Sequence, residues 1–472
     1  MSEDRYELSE GWVWTKIGNL SSVITKGSTP TSYGFAYQDK GILFVKVENI
    51  SNYSIKRETI SQYISRETHQ FLKRSQLQEN DMLFSIAGTI GRVCLIKKED
   101  LPANTNQALA IIRIPNSNIH KKYLLYYLDS RIVRKFVRSE MRGVGIYNIS
   151  LENAKDIDVP LPPLSEQKRI VEKIESLFDR LNKTKQSLAK IPPLLKKFRQ
   201  SVLAKAFSGE LTEDWRTKQK DLEPTSALLA RIRTERKNLL GKKYKEPEPI
   251  DISDLSELPE GWEWATLESI GEIVTGNTPF TENKRFYGDF LPFVKPGDLD
   301  QGKDIVAAKN FLSKDGAKQA RILPSKSIMV TSIGATIGKT GISAVECATN
   351  QQINSIVPSS GIEAYYVYYY CLSQFFFNQM LTNSSSTTLP IINKGRFSAL
   401  PIPIVSTRKQ REIVRKIEGL FAQADTIEKS VKIAQAYCEK LTPSIIAKAF
   451  RGELVDQDPN DEPAGGYKKS DR

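Results

Sequence analysis

Histidine is almost absent from the 472-residue chain, with His69 and His120 the two examples and neither at ligand spacing from a partner. That excludes a histidine-built metal centre and removes the commonest general base. Cysteine is as sparse: Cys94, Cys347, Cys371 and Cys438 are far apart, with no CxxC pattern. Such a set fits a reducing compartment and no disulfide framework. No apolar run approaches the roughly 20 residues that a membrane span requires. The polar, acidic opening MSEDRYELSEGW is not expected to act as a secretory signal. A phosphate loop is also missing, since GATIGKT (334–340) has three residues between its first glycine and the GKT where the loop needs four. There is no G-x-S-x-G, and no Asp/Asn-Pro-Pro-aromatic of the kind that grips an adenine amino group. No active site is legible.

Positive charge and repetition are abundant. The 68 basic residues against 55 acidic give a net charge of +13 and a pI near 9.3, a balance that suits a polyanionic partner. AKAFSGEL (204–211) returns as AKAFRGEL (447–454), and GWVWTKIGNLSSVITKGSTP (11–30) as GWEWATLESIGEIVTGNTP (261–279). SIAGTIGRV (85–93) matches SIGATIGKT (332–340), and TNQALAII (105–112) matches TNQQINSIV (349–357). From about Tyr123 onward the two copies keep a fixed offset of 243 residues. The chain is a tandem repeat with a front of variable length and a back of fixed length.

The back halves carry a heptad seam. Ile170, Ile174, Leu177, Leu181, Thr184, Leu188, Ile191, Leu195, Phe198 and Val202 step by four and three, as do Ile413, Ile417, Leu420, Ala424, Ile427, Val431, Ala434, Cys438, Leu441 and Ile445. An insertion would rotate this seam out of register, which locks the length. Pro192, Pro193 and Pro443 are expected to kink the rods, and Gly209 and Gly452 to end them. The fronts read as mixed α and β, with strands in GILFVKV, NDMLFSI and QALAIIRI and one helix over 123–137. The aromatic runs YLLYYL and YYVYYYC, and Trp12, Trp14, Trp262 and Trp264, read as packing elements. Expected domains are 1–160 and 259–403 as globular fronts, 161–215 and 404–455 as helices, and 216–258 as a linker with a short helix. The end, 456–472, reads as a disordered tail.

VPLPPLSEQKRIVEKIESLF (159–178), FRQSVLAKAFSGELTEDWR (198–216) and the repeated GW-W…TP openings resemble the specificity subunit of type I restriction-modification systems. In the second copy PIPIVSTRKQ (401–410) lacks LPPLSEQ but keeps Pro401, Pro403 and Gln410. The resemblance implies an α+β fold: two target recognition domains separated by an antiparallel coiled coil of two long helices, with pseudo-twofold symmetry. It implies a non-catalytic, cytoplasmic prokaryotic subunit whose two domains each read half of a bipartite asymmetric target in double-stranded DNA. The implied partners are two methyltransferase subunits, which methylate adenine, and two motor-nuclease subunits, which cleave unmodified DNA. The methyl donor and ATP belong on those partners, with no cofactor on this chain. Two other classes stay open from the residues alone: a stand-alone nuclease or methyltransferase with an unrecognised active site, and a purely structural adaptor.

DNA-contacting candidates are polar residues on strand-flanking loops that recur in both copies. In the first copy these are Lys26, Ser28, Thr29, Lys46, Asn49, Ser85, Thr89, Arg92, Asn106 and Gln107. In the second they are Asn277, Thr278, Lys295, Asp298, Ser332, Thr336, Lys339, Asn350 and Gln351. Residues shared by domains with different targets fit scaffold or phosphate roles; base readers are expected where the copies differ. Those stretches are 33–39, 142–148, 282–287 and 384–388, and they add Arg142, Lys284 and Arg285. Lys197, Arg199, Phe207 and Phe450 on the helical endings are the candidates for partner contact.

Overall fold

The structure, a computed structural model, describes residues 6–115, 119–141, 148–219, 222–385 and 389–464. The chain divides into two units, one of residues 1–189 with 432–472 and the other of residues 190–431. Each unit therefore holds the front of one repeat and the helical ending of the other. The helices do not form domains of their own, as the expected boundaries had it.

In the first unit, strand Val13–Lys16 pairs antiparallel with Asp158–Leu161 and sets Trp14 opposite Pro160. This pair closes the globular front. A four-stranded antiparallel sheet follows in the order Val23–Lys26, Leu109–Arg113, Met82–Ser85, Val93–Leu95. A smaller sheet places Ile42–Val45 between Tyr63–Ile64 and Ala103–Thr105, the last pairing parallel. The second unit repeats this plan. Glu263–Thr266 pairs with Pro401–Ile404, and the main sheet runs Gly271–Thr275, Ile353–Pro358, Ile328–Thr331, Thr340–Ile342. Its smaller sheet gains an edge strand, Ile322–Leu323, where the first unit has the isolated bridge between Gln76 and Asn104. GATIGKT forms the turn before Thr340–Ile342, not a phosphate loop.

The helix expected over 123–137 is two helices. A tyrosine helix, Lys121–Leu128, ends at Asp129, and Ser130 adopts extended φ/ψ while its hydroxyl accepts a hydrogen bond from the Val133 amide (3.3 Å). An outer helix, Arg131–Glu140, starts from that cap. Ser373 does the same between Ala364–Cys371 and Gln374–Thr382 in the second unit. Tyr123, Tyr127, Tyr366 and Tyr370 are fully buried, so the aromatic runs pack.

The long helices are Leu164–Phe207 and Thr407–Ala449, and both are helical through their internal prolines. Within the first unit, Lys185 meets Glu439 (3.9 Å), while Ile170 and Ile174 share a core with Ile446 and Phe450. Within the second, Arg199 meets Asp425 (2.6 Å), and the Lys416 ammonium donates to the Leu211 carbonyl (2.9 Å). The helices are antiparallel in each unit. Burial follows one column per helix: Ile174, Leu181, Leu195 and Val202 on one, Ile417, Ala424, Val431 and Cys438 on the other. Thr184, Phe198 and Ile427, expected in the seam, are exposed. The rest of the column that these three belong to is covered: Ile170 and Ile413 are buried, and Leu177, Ile191, Leu420, Ala434 and Leu441 are half-buried.

The duplicated ending AKAFxGEL has a physical account. Phe450 is fully buried, with its ring edge-on to Tyr123 (5.2 Å) and Tyr127 (5.0 Å). Phe207 does the same to Tyr366 and Tyr370 (5.2 Å each). The tyrosine hydroxyls in turn donate to the proline-rich strands: Tyr123 to the Pro160 carbonyl and Tyr370 to that of Pro401 (2.5 Å each), Tyr366 to that of Pro403 (2.6 Å). Burial pushes these phenols far above their ordinary pKa, so they stay protonated donors. After the phenylalanine, Gly452 (φ 72°) lets Glu453 N–H reach the Lys448 carbonyl (3.0 Å) and its own N–H reach Ala449 (3.4 Å). Gly209 likewise has a positive φ of 85°. Leu454 and Leu211 then pack against the respective cores.

The glutamine of PLPPLSEQ bridges the same groups in both units. Gln167 accepts from the His120 amide (2.8 Å) and donates to the Pro162 carbonyl (2.9 Å); Gln410 accepts from Glu363 (2.8 Å) and donates to Val405 (2.7 Å). The preceding position differs. Trp12 donates to Glu166 (3.0 Å), whereas Trp262, with Lys409 at the matching position, has its indole N–H buried without a partner. Burial and then Arg216 hold the Lys409 pKa below its ordinary value. Lys409→Glu supplies the missing acceptor and turns the Arg216 repulsion into attraction, against a smaller repulsion from Glu260. We expect a gain of about 1 kcal/mol, read as about fivefold stronger hydrogen-exchange protection of the second unit. A loss of protection there would show that the introduced carboxylate cannot reach the indole.

Residues 456–464, expected to belong to a disordered tail, are tied to the first unit. Asp461 makes a two-pronged pair with Arg169 (2.6 and 3.2 Å), and Ala464 N–H donates to the Gly11 carbonyl (3.1 Å). Residues 465–472 lie outside the described ones. The short helix expected in the linker is present as Thr225–Leu240, held by buried Leu228 and Ile232.

Candidate nucleic-acid interface

Three loop ends meet on the first unit. The turn after Ile42–Val45, the hairpin tip between Met82–Ser85 and Val93–Leu95, and the turn before Leu109–Arg113 line a cleft of about 330 Å³ formed by Val47, Glu48, Ala87, Gly88, Thr89, Arg92, Asn106 and Ala108. Main-chain bonds fix their convergence: Ile86 N–H donates to Ala108 (2.8 Å) and Ser28 N–H to Thr105 (3.0 Å). Asn148 bridges to Ala87 at the same edge, while residues 142–147 lie outside the described ones. In the second unit Ile391 bridges to Ile333 in the equivalent way.

Most of the shared candidates shape these loops. Asn49 accepts from the Lys46 amide (2.8 Å) and donates to the Thr59 carbonyl (2.8 Å). Asp298 accepts from the amides of Lys295 (2.9 Å) and Lys309 (3.0 Å). One turn presents a carbonyl and needs an amide; the other presents only N–H groups and takes a carboxylate. Thr29 donates to Gln107, and Thr278 to Gln351 (2.6 Å). Asn106 and Asn350 each accept from the amide two residues on (3.2 and 3.3 Å). Ser85 closes its hairpin by donating to Thr89 (2.7 Å) and accepting from the Arg92 amide (2.7 Å), while the Arg92 guanidinium donates to Val47 (3.0 Å). Ser332 and Ser28 are buried, the latter accepting from Arg74 (3.2 Å). Asn277 ties Gln319 (2.7 Å) to Arg321 (2.9 Å), and Lys339 pairs with Asp300 (2.5 Å).

A second group reaches solvent. Lys26, Thr89, Arg92, Gln107, Thr336, Gln351, Lys284 and Arg285 are exposed, the last two on the short turn Lys284–Phe286. Lys46 lies over the Tyr37 ring (5.4 Å) and Lys295 over Phe293 (5.6 Å). Arg142 and residues 386–388 lie outside the described residues. Four cations on the outer helix of the first unit, Arg131, Arg134, Lys135 and Arg138, escape a reading of loops alone. Their spacing of three, four and seven is the available signal.

Two partner-contact candidates are corrected. Phe450 is fully buried and Phe207 is 9% exposed, each inside its own unit, so neither ring offers a face to another chain. Arg199 is engaged by Asp425 and Glu428, while Lys197 is exposed.

The family model for the type I restriction modification DNA specificity domain matches twice, over residues 9–192 and 259–435, one match for each repeat. The chain belongs to the type I restriction-modification specificity subunits. It is 31% identical over 339 residues to the EcoDI specificity subunit of Escherichia coli, covering 71% of both chains. It is 27% identical to the EcoKI specificity subunit of Escherichia coli K12, over 96% of this chain and 91% of that one. The fold matches the HsdS subunit of Thermoanaerobacter tengcongensis with a TM-score of 0.62 at 19% identity, covering 96% of this chain and all of that one. A chain from a structure of type I system assembly and conformational transition gives the same TM-score, 0.62, over 95% of this chain. As a specificity subunit the chain is non-catalytic and serves DNA recognition within a restriction-modification complex. Among the described residues no helix is long and apolar enough to cross a membrane.

Proposed function

We propose that each unit reads one half of a bipartite, asymmetric duplex target through the cleft at its loop ends. The observation that carries this is one topology built twice, with matching turn-fixing hydrogen bonds at Thr29 and Thr278 and at Asn106 and Asn350 but different exposed side chains. Invariant turns hold the loops; variable tips choose bases. Two methyltransferase subunits then modify adenine in the two half-sites, and two motor-nuclease subunits cleave unmodified DNA. The methyl donor and ATP sit on those partners. With Phe207 and Phe450 buried, the partner surface centres on the exposed column beside Lys197, where Leu194 and Phe198 lie one turn apart (60% and 39% exposed).

The test is methyl transfer by the chain with and without methyltransferase subunits, followed by sequencing of modified positions. The complex is expected to modify one bipartite sequence, and the chain alone none. Transfer by the chain alone would restore the reading of a stand-alone methyltransferase.

A further inference from the structure

The outer helices of the two units occupy the same place with the same inward face. Ser130 and Ser373 cap them, and their buried residues are Val133 and Val137 in one, Phe376 and Met380 in the other, each pair offset by the same 243 residues as the repeat. Register is therefore equal, and outward positions can be compared one to one. Arg131, Arg134, Lys135 and Arg138 stand opposite Gln374, Phe377, Asn378 and Leu381. All four cations are exposed on a single helical stripe. Four charges face four uncharged side chains.

The stripe adjoins the proposed reading edge. Arg134 and Arg138 share a cleft of about 250 Å³ with Thr89, Gly91 and Arg92 of the hairpin tip. Arg134 is also aimed by Asp129 (2.5 Å), which accepts from Tyr53 as well (2.8 Å). In the second unit a ring covers the matching tip glycine: a Cβ built on Gly338 would lie 2.7 Å from Phe377. One tip is flanked by cations and the other by an aromatic side chain.

We infer that the outer helix of the first unit grips the DNA phosphate backbone beside the half-site that this unit reads, and that the second unit has no such grip. The inference rests on the DNA-reading role of the clefts. A stripe on a helix offers charge without base-edge geometry, so it contributes affinity and register, not sequence choice. The two half-sites thus differ in electrostatic weight, with the first unit carrying more of the salt-dependent term.

The test uses the full chain assembled with its methyltransferase subunits, binding its target duplex and a scrambled duplex across a salt series. Arg131→Gln with Arg138→Gln removes two exposed charges that take no part in the core. The slope of log affinity against log salt is expected to become shallower by about 0.9 for each phosphate that the variant no longer neutralises, so by up to about two. Preference for target over scrambled DNA should be unchanged, as should the Tm. The reciprocal variant, Gln374→Arg with Leu381→Arg, should steepen the slope. An unaltered slope in the first variant, with target preference intact, overturns the inference and leaves the DNA-reading role standing. A changed target sequence overturns it too, because the helix would then be reading bases. Absence of target preference in the unmodified complex refutes the DNA-reading role itself.

Discussion

Phe450→Ala should cost about 3–5 kcal/mol, which is a large part of the stability of a typical unit. The ring is fully buried between Tyr123 and Tyr127, and those tyrosines hold the strand that closes the front half. Alanine leaves a cavity that two hydrogen-bonded phenols cannot move to fill, since each hydroxyl is tied to a strand carbonyl. The Phe450 carbonyl also accepts from Tyr6, so loosening the helix end releases the N-terminal segment. Phe207→Ala should weaken the second unit by the same route. Phe198→Ala, at a position 39% exposed, should cost less than about 1 kcal/mol. Hydrogen exchange resolves the units separately, which a single melting curve of a two-unit chain does not. Loss of protection in the first unit for Phe450→Ala and in the second for Phe207→Ala is the expected pattern. Equal effects of Phe450→Ala and Phe198→Ala would mean that the docked ring does not hold the unit.

That pattern also marks what is legible in the sequence. Repetition, the heptad seam and the main strands are readable because each is local or periodic. The break at Asp129–Ser130 is not, since apolar spacing continues across it and only the cap geometry ends the helix. The exchange of endings is invisible for a different reason: AKAFxGEL follows its own repeat in sequence, yet each phenylalanine packs in the unit formed by the other repeat's front. Sequence distance says nothing about which of two equal tyrosine clamps a ring enters. The tied end is hidden because DQDPNDEPA is polar by composition, while one buried carboxylate, Asp461 on Arg169, anchors it. The shared loop polars fit either scaffold or phosphate roles in the sequence, and the hydrogen bonds of Asn49, Asp298, Asn106 and Asn350 supply the scaffold role. The cationic stripe escapes a reading of loops, where function usually concentrates, because it lies on a helix.

Replacing residues 17–157 by residues 267–400 of the same chain should give a subunit that reads one half-sequence twice. The junctions fall where the two units are equivalent. Ile17 N–H donates to the Ile157 carbonyl and Leu267 N–H to the Leu400 carbonyl, both at 3.0 Å, immediately inside the closing strand pair. The strands Val13–Lys16 and Asp158–Leu161 stay native, so their register is untouched. The transplanted front brings its own clamp, with Tyr366 and Tyr370 at the positions of Tyr123 and Tyr127, ready for Phe450. It also brings the partners of the long helix. The Glu363 amide would meet Gln167 as it now meets Gln410, and Tyr369, now 3.3 Å from Glu418, would meet Glu175, the partner of Tyr126 at the same distance. The ion pair of Lys16 with Asp156 is lost, but both side chains are about half exposed and such pairs contribute little. If the front of each unit alone chooses bases, modification by the assembled complex should move to a target with the second half-sequence at both halves, and the original first half-sequence should no longer be modified. The salt slope should fall as well, because the cationic outer helix is replaced by Gln374–Thr382. Retention of the original first half-sequence would show that residues outside the front, on the strands or the long helices, take part in reading it.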